Sequence, residues 1–310
     1  MTSKATSNII AAIDLGTSRS ACAISIQGRA ENDVIVRIPK GSGACASASK
    51  TETAVLLECT PPHNFVAFGK TARKRFTRRP TPGTSNMLFR FFKTGLCENR
   101  GYTSVDEPVA TADGGETLPL LVVMTSVLRH LKEDVLDYLS SRVEVAPTVH
   151  DVTWVLTIPA IYDDFAKRFM RIAAHKAGLI SAVDDDSQLR LCLEPEAACL
   201  AVSIREAPRL IHAGSKIMIV DCGGGTVDIT SHTYVSGCPL DLKEIELPTG
   251  GAWGSTFVDD QFMVWLRKFI GGDAFDSVRR TSEFYCLLEE WEECKTTFQG
   301  GENDTISLNM

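Results

Sequence analysis

Apolar and polar positions change rhythm several times along the chain, and each change marks an element. Between residues 9 and 26, IIAAIDLGTSRSACAISI, two apolar runs flank a short polar turn, which predicts a strand, a tight turn and a second strand. From 120 to 140, Leu121, Met124, Leu128, Leu131, Val135 and Leu139 recur at three- and four-residue steps, the pattern of a core-facing amphipathic helix. DVTWVLTIPA (151–160) reads as a buried strand ended by Pro159. Asp163 or Asp164 then caps a helix that closes at Gly178.

A second unit repeats this plan. LRLCLEPEAACLAVSIREA starts as a short strand and places Pro195 in a first helical turn, with Glu194 just ahead of it. KIMIVDCGGGTVDITSHTYV (216–235) repeats the early hairpin. Ser255 or Thr256 is expected to cap an apolar helix that runs to Ile270 and stops at Gly271 and Gly272, and Ser282 to open the last long helix. The stretch from 27 to 119 breaks the order. Its Gly-, Ser- and Pro-containing segments (GSGACASASK, TRRPTPGTS, ATADGGET) separate short apolar runs and read as insertions around one or two small elements.

The two hairpins share one grammar: an apolar run, Asp, one residue, Gly, then a threonine and another apolar run. They lie about 200 residues apart, too far for a solenoid period but natural for a duplicated lobe. We therefore expect lobe I over 1–206, with an insertion at about 40–119, and lobe II over 207–310. A length of 310 residues with 44% hydrophobic positions suits two such lobes. A net charge of −7 argues against a nucleic-acid partner, and the one basic cluster, KTARKRFTRR (70–79), reads as a solvated helix face. Ten cysteines without a CxxC pair indicate a reducing compartment and no structural zinc. No signal-like or membrane-length apolar run is present, so the expectation is a cytoplasmic protein with no membrane partner. His130 and His175 have no neighbour at metal-ligand spacing.

The turns carry the chemistry. Glycine at Gly16 and at Gly223, Gly224 and Gly225 removes Cβ atoms, so backbone amides can approach and bond an oxyanion. A phosphate needs a counter-ion. Asp14 and Asp221, at strand ends, can hold a hydrated Mg²⁺, while the hydroxyls of Thr17 and Thr226 can bond the phosphate or the metal's waters. A turn made for packing alone would leave both aspartates unexplained. Two other phosphate motifs fail: the GKT at 69–71 lacks the P-loop glycine, with Phe65 in its place, and no GxGxxG opens a helix.

AIDLGTS (12–18), VLTIPAIYDDFAKRFMRIAAHKAGL (155–179), LEPEAACLA (193–201) and IVDCGGGTVDI (219–229) resemble, in this order, the nucleotide-binding domain of the 70-kDa heat-shock proteins. The wording of EPEAA, IPAIYDDFAKRFMR and GGAWGSTFVDDQF (250–262) is similar to the divergent branch called heat shock 70 kDa protein 12. The resemblance implies an α/β fold: a two-lobed actin-like (ribonuclease H-like) ATPase whose lobes are mixed sheets flanked by helices around a cleft for ATP or ADP with Mg²⁺. It also implies protein clients or co-chaperones as partners.

Carried over by residue, Asp14, Gly16, Thr17 and Ser18 match the first phosphate loop. Asp221, Gly223, Gly224, Gly225, Thr226 and Asp228 match the second. Glu194 matches the metal- and water-orienting glutamate, and Lys93 in LFRFFKTGL the catalytic lysine. Pro159 and Lys167 match a relay of nucleotide state, with lysine replacing the usual arginine and its bidentate fork. Glu292 and Lys295 match the adenosine-contacting helix, where Thr296 replaces an arginine, and Arg19 stands where standard chaperones carry a tyrosine. The chain ends before the rest of lobe II and a peptide-binding sandwich would follow, so a C-terminally truncated domain with an incomplete second lobe is expected. Three activities compete: a slow Mg-dependent ATPase, a nucleotide-sensing or scaffolding module that hydrolyses little, and a small-molecule kinase of the same superfold.

Overall fold

The computed structural model describes residues 9–26, 34–37, 39–40, 50–77, 85–96, 101–142, 146–205, 212–237, 240–279 and 281–300. The expected 206/207 boundary, Arg78 and Arg79 of the basic cluster, and most of GSGACASASK and TRRPTPGTS lie outside these residues.

β1 (Ile9–Leu15) and β2 (Arg19–Ile26) form the expected antiparallel hairpin, and β3 (Ile35–Arg37) extends it. Further along, β4 (Thr51–Glu52), β5 (Ala54–Glu58), β6 (Phe65–Phe68), α1 (Gly69–Thr77) and β7 (Asn86–Arg90) follow, then a 3-10 turn over Phe92–Leu96. The two-stranded β8 (Val109–Thr111) and β9 (Thr117–Pro119) lead into α2 (Leu120–Ser140). β10 (Val152–Ile158), α3 (Asp164–Lys176), β11 (Leu189–Leu193) and α4 (Glu194–Arg205) complete the first body. Its six-stranded sheet runs β11-β10-β1-β2-β3 with β4 paired on β2. β10 and β11 lie parallel to β1, while the hairpin strands are antiparallel.

Strand alternation decides which face holds chemistry. Ile9, Ala11, Ile13 and Leu15 of β1 and Val152, Trp154, Leu156 and Ile158 of β10 are buried in one core with the apolar stripe of α2 and with Phe169 and Met170 of α3. The intervening positions, Asp14 and Thr157 among them, face the other side, where α4 packs against β10, β11 and the second body. The Asp163 side chain accepts the Ala166 amide at 2.8 Å, and Gly178 at φ +75° stops α3, as expected.

The second body is a three-stranded antiparallel sheet of β12 (Lys216–Cys222), β13 (Val227–Gly237) and β14 (Leu240–Gly251), followed by α5 (Ser255–Ile270), α6 (Gly272–Val278) and α7 (Ser282–Thr297). Phe262, Leu266, Phe275, Phe284 and Leu287 form its helical core. Neither Ser255 nor Thr256 caps α5: the cap position is Gly254, without a side-chain bond. Thr281 caps α7, its hydroxyl accepting the Phe284 amide.

The segment read as insertions holds more order than expected. β5 is buried on both faces because β6-β5-β7 is sandwiched. Val55, Leu57, Phe68, Met87 and Phe89 join the main core, whereas Ala54, Leu56, Ala67, Ala72 and Leu88 form a second cluster closed by Tyr285 of α7. This cluster ties the two bodies together.

Phe169 is fully buried, so Phe169→Ala is expected to lower stability by about 3–5 kcal/mol. Urea unfolding checks this; a loss below about 1 kcal/mol would mean that α3 is not packed on the sheet.

Candidate functional site

The first turn is held from outside. Thr53 donates its amide to Ser18 O at 2.8 Å and its hydroxyl to Gly16 O at 2.8 Å, and its Oγ1 lies 2.6 Å from Ser20 Oγ. Carbonyls of the turn are thereby taken. Among the described residues, the amides of Thr17 and Ser18 have no acceptor.

The second turn follows the same logic with a helix as its support. Gly254, Ser255 and Thr256 at the start of α5 donate their amides to Gly225 O at 3.3 Å, Gly223 O at 3.1 Å and Gly224 O at 2.9 Å. The first amides of a helix need acceptors, and here the glycine carbonyls supply them, which is why no serine or threonine cap is used. The Gly223 amide bonds Thr226 O at 2.9 Å, whereas among the described residues those of Gly224, Gly225 and Thr226 have no acceptor.

The two turns meet. A Cβ on Gly224 would lie 2.0 Å from Ser18 Oγ, and one on Gly225 would lie 2.7 Å from Thr17 Oγ1. Only glycine permits this approach. Between the turns is a cavity of about 590 Å³ walled by Asp14, Gly16 to Arg19, Lys50, Lys93, Thr157, Pro159, Glu194, Asp221 and Gly223 to Thr226. Thr17 and Thr226 are largely buried, 8% and 6% exposed, and their unpaired amides belong to residues that line the cavity.

Charge on the wall is arranged in pairs. Lys93, 2% exposed, places Nζ 2.7 Å from Glu194 Oε1, with the Tyr162 ring 5.8 Å away. Lys50 is ion-paired to Asp14, which also accepts from Thr157 Oγ1 at 3.0 Å. Asp221 has no basic partner at ion-pair distance among the described residues, and it stands directly across the hairpin from Asp228. Burial raises the Asp221 carboxyl above the usual range, and Asp228 adds to the rise. Glu194 is raised too, by burial above all. Lys93 opposes the rise, and Asp14 and Asp221 reinforce it.

The sequence-derived candidates do not all share this wall. Asp228 is buried behind the turn, accepting from Thr226 Oγ1 at 2.7 Å and from the Ile161 amide at 3.2 Å; it links the loop after β10 to the second body. Lys167 lies on the exposed side of α3 beside Asp164, away from the cavity. Glu292 reaches the rim, bonded to Arg19 at 3.1 Å and Lys295 at 2.6 Å. Lys295 also pairs with Asp259 at 2.8 Å and lines a second cavity of about 930 Å³, which shares Ser18, Arg19, Lys50 and Glu292 with the first. Lys50 and Thr53 were missed in sequence. Their only signal is the SKTET of residues 49–53, which has no periodicity of its own.

Mixed sheets flanked by helices thus carry two facing Gly-rich hairpins on one cavity wall. Residues 102–310 match the family model described as Hsp70 protein, and the chain belongs to the Hsp70 family. It is 29% identical to heat shock 70 kDa protein 12A of Homo sapiens, covering 97% of this chain and 52% of that one. It is 30% identical to heat shock 70 kDa protein 12B of Homo sapiens, over 89% of this chain and 47% of that one. A bacterial relative, chaperone protein dnaK1 of Prochlorococcus marinus (strain MIT 9313), is 27% identical over 96% of this chain and 41% of its own. The chain thus spans about half the length or less of these relatives. Among solved structures, MreB5 of Spiroplasma citri bound to ADP aligns with a TM-score of 0.48 at 13% identity, over 85% of this chain and 57% of that one. No helix among the described residues is long and apolar enough to cross a membrane.

The raised Asp221 carboxyl gives a pH test. Between the ordinary carboxylate range and the raised value, the folded state holds a proton that the unfolded state releases. Stability from this group is therefore lost as pH rises through that window. Without nucleotide or metal, Asp221→Asn should gain on the wild type between about pH 4 and pH 7.5. Urea unfolding at both pH values checks the sign, and a difference that shrinks with pH contradicts the assignment.

Proposed function

We infer that the cleft binds the polyphosphate of ATP or ADP, and the observation that carries this reading is five amides without acceptors on a cavity wall between two glycine turns. Thr17, Ser18, Gly224, Gly225 and Thr226 would donate to phosphate oxygens from both lobes. Asp221 offers hard carboxylate oxygens that suit a hydrated Mg²⁺, whereas Asp14 is already ion-paired to Lys50. No group of three or more His, Cys, Asp or Glu side chains is placed to ligate a metal among the described residues, so waters and phosphates would complete the shell. When bound, such an ion supplies neutralisation of the phosphate charge.

The chain's own groups suit slow hydrolysis. Lys93 is fixed by burial and by Glu194, so its positive charge has one location at the cavity wall. Glu194 is shifted toward neutrality by burial, the property of a carboxylate that can orient a water and accept its proton. Asp228 would act as a positioning residue, holding Thr226 and Ile161. Glu292 and Lys295 would contact the nucleoside end from the rim. The relatives named as chaperones support a chaperone-related or regulatory role; a cytoplasmic setting and protein clients or co-chaperones are part of the same proposal.

A second reading, a nucleotide sensor that hydrolyses little, is favoured by the Lys93–Glu194 pair itself, because each partner neutralises the other. Calorimetry with Mg·ATP and a phosphate-release assay on the purified chain separate the two. An ATPase should lose about 10²- to 10³-fold in turnover in Lys93→Ala. Binding without release indicates the sensor, phosphorylation of a supplied sugar indicates a kinase, and no binding removes the nucleotide reading.

A further inference from the structure

Lys50 takes Asp14 Oδ2, the oxygen that Thr157 leaves open. Its Nζ is 2.5 Å from Asp14 Oδ2, and it forms part of the wall of both cavities. This placement is built into the backbone. Thr51 and Glu52 of β4 pair with Ser20 and Arg19, and Thr53 holds the first turn through its amide and hydroxyl. The residue before β4 is thereby delivered beside Asp14, whatever its side chain.

Charge on the wall then reads as follows. Lys93 balances Glu194 and Lys50 balances Asp14, whereas Asp221 has no basic partner at ion-pair distance among the described residues. Loss of Lys50 would leave a second bare carboxylate beside the phosphates. We propose that Lys50 is an internal cation of the phosphate site, standing in for a divalent ion at Asp14, so that the cleft accepts a nucleotide polyphosphate without metal. This rests on the reading of the cleft as a nucleotide site. The two side chains are 45% and 33% exposed, so solvent screens the pair and the effect belongs on a tenfold scale, not a thousandfold one.

The test is calorimetric titration of ATP and of ADP into the full chain, once with Mg²⁺ and once with EDTA. Wild type, Lys50→Gln and Lys50→Arg are compared, with thermal melts to establish folding. Wild type should bind in both conditions. Lys50→Gln should widen the ratio of the EDTA to the Mg²⁺ dissociation constant by about tenfold, or ~1.4 kcal/mol, and Lys50→Arg should keep the wild-type ratio. An unchanged ratio in folded Lys50→Gln overturns the inference. So does wild type that binds with Mg²⁺ but not in EDTA, an outcome that needs no variant and leaves the nucleotide reading standing. Wild type that binds in neither condition overturns both.

Discussion

The contact of two side-chain-poor turns governs this molecule. Gly224 lies against Ser18 and Gly225 against Thr17, at separations that leave no room for a Cβ on either glycine. Each turn is held from behind, one by Thr53 and the other by the first amides of α5, and both supports bond carbonyl oxygens. With the carbonyls engaged, amides are the groups left unpaired on the cavity wall. The free donors on the cavity wall are therefore a consequence of how the turns are supported.

The wall's electrostatics follow from the same geometry. Hairpin register sets Asp221 opposite Asp228, and parallel register sets Asp14 beside Thr157. Partly buried carboxylates favour nearby cations, and the chain supplies two lysines from segments remote in sequence: Lys93 from the 3-10 turn and Lys50 from the lead into β4. Both come from the region that the sequence pattern marks as insertion. That region instead forms the small sandwiched sheet that links the bodies through Tyr285, and Tyr285 also donates to Asp113 at 2.8 Å.

Much of the frame was legible from pattern alone. The hairpins, α2, β10 with its capped α3, and the β11–α4 join follow from periodicity, capping and glycine stops, all of which are local signals. So were the glycines and Asp14 and Asp221, because a glycine run bounded by carboxylates conflicts with simple core packing. β5 to β7 were hidden because a strand buried on both faces shows no alternation, and Lys50 because nothing near it in sequence is periodic. The roles expected of Asp228 and Lys167 came from motif matching. The fold puts one behind the turn and the other on an outer helix face.

Local pattern thus accounts for the two hairpins, α2, the β10–α3 and β11–α4 units, the two glycine turns and the carboxylates beside them, since these depend on interactions within a few residues. Tertiary structure alone decided that the turns interlock, that α5 is capped by glycine carbonyls, and that Lys50 and Lys93 answer Asp14 and Glu194. Those outcomes depend on contacts between segments far apart in the chain, which no local pattern encodes.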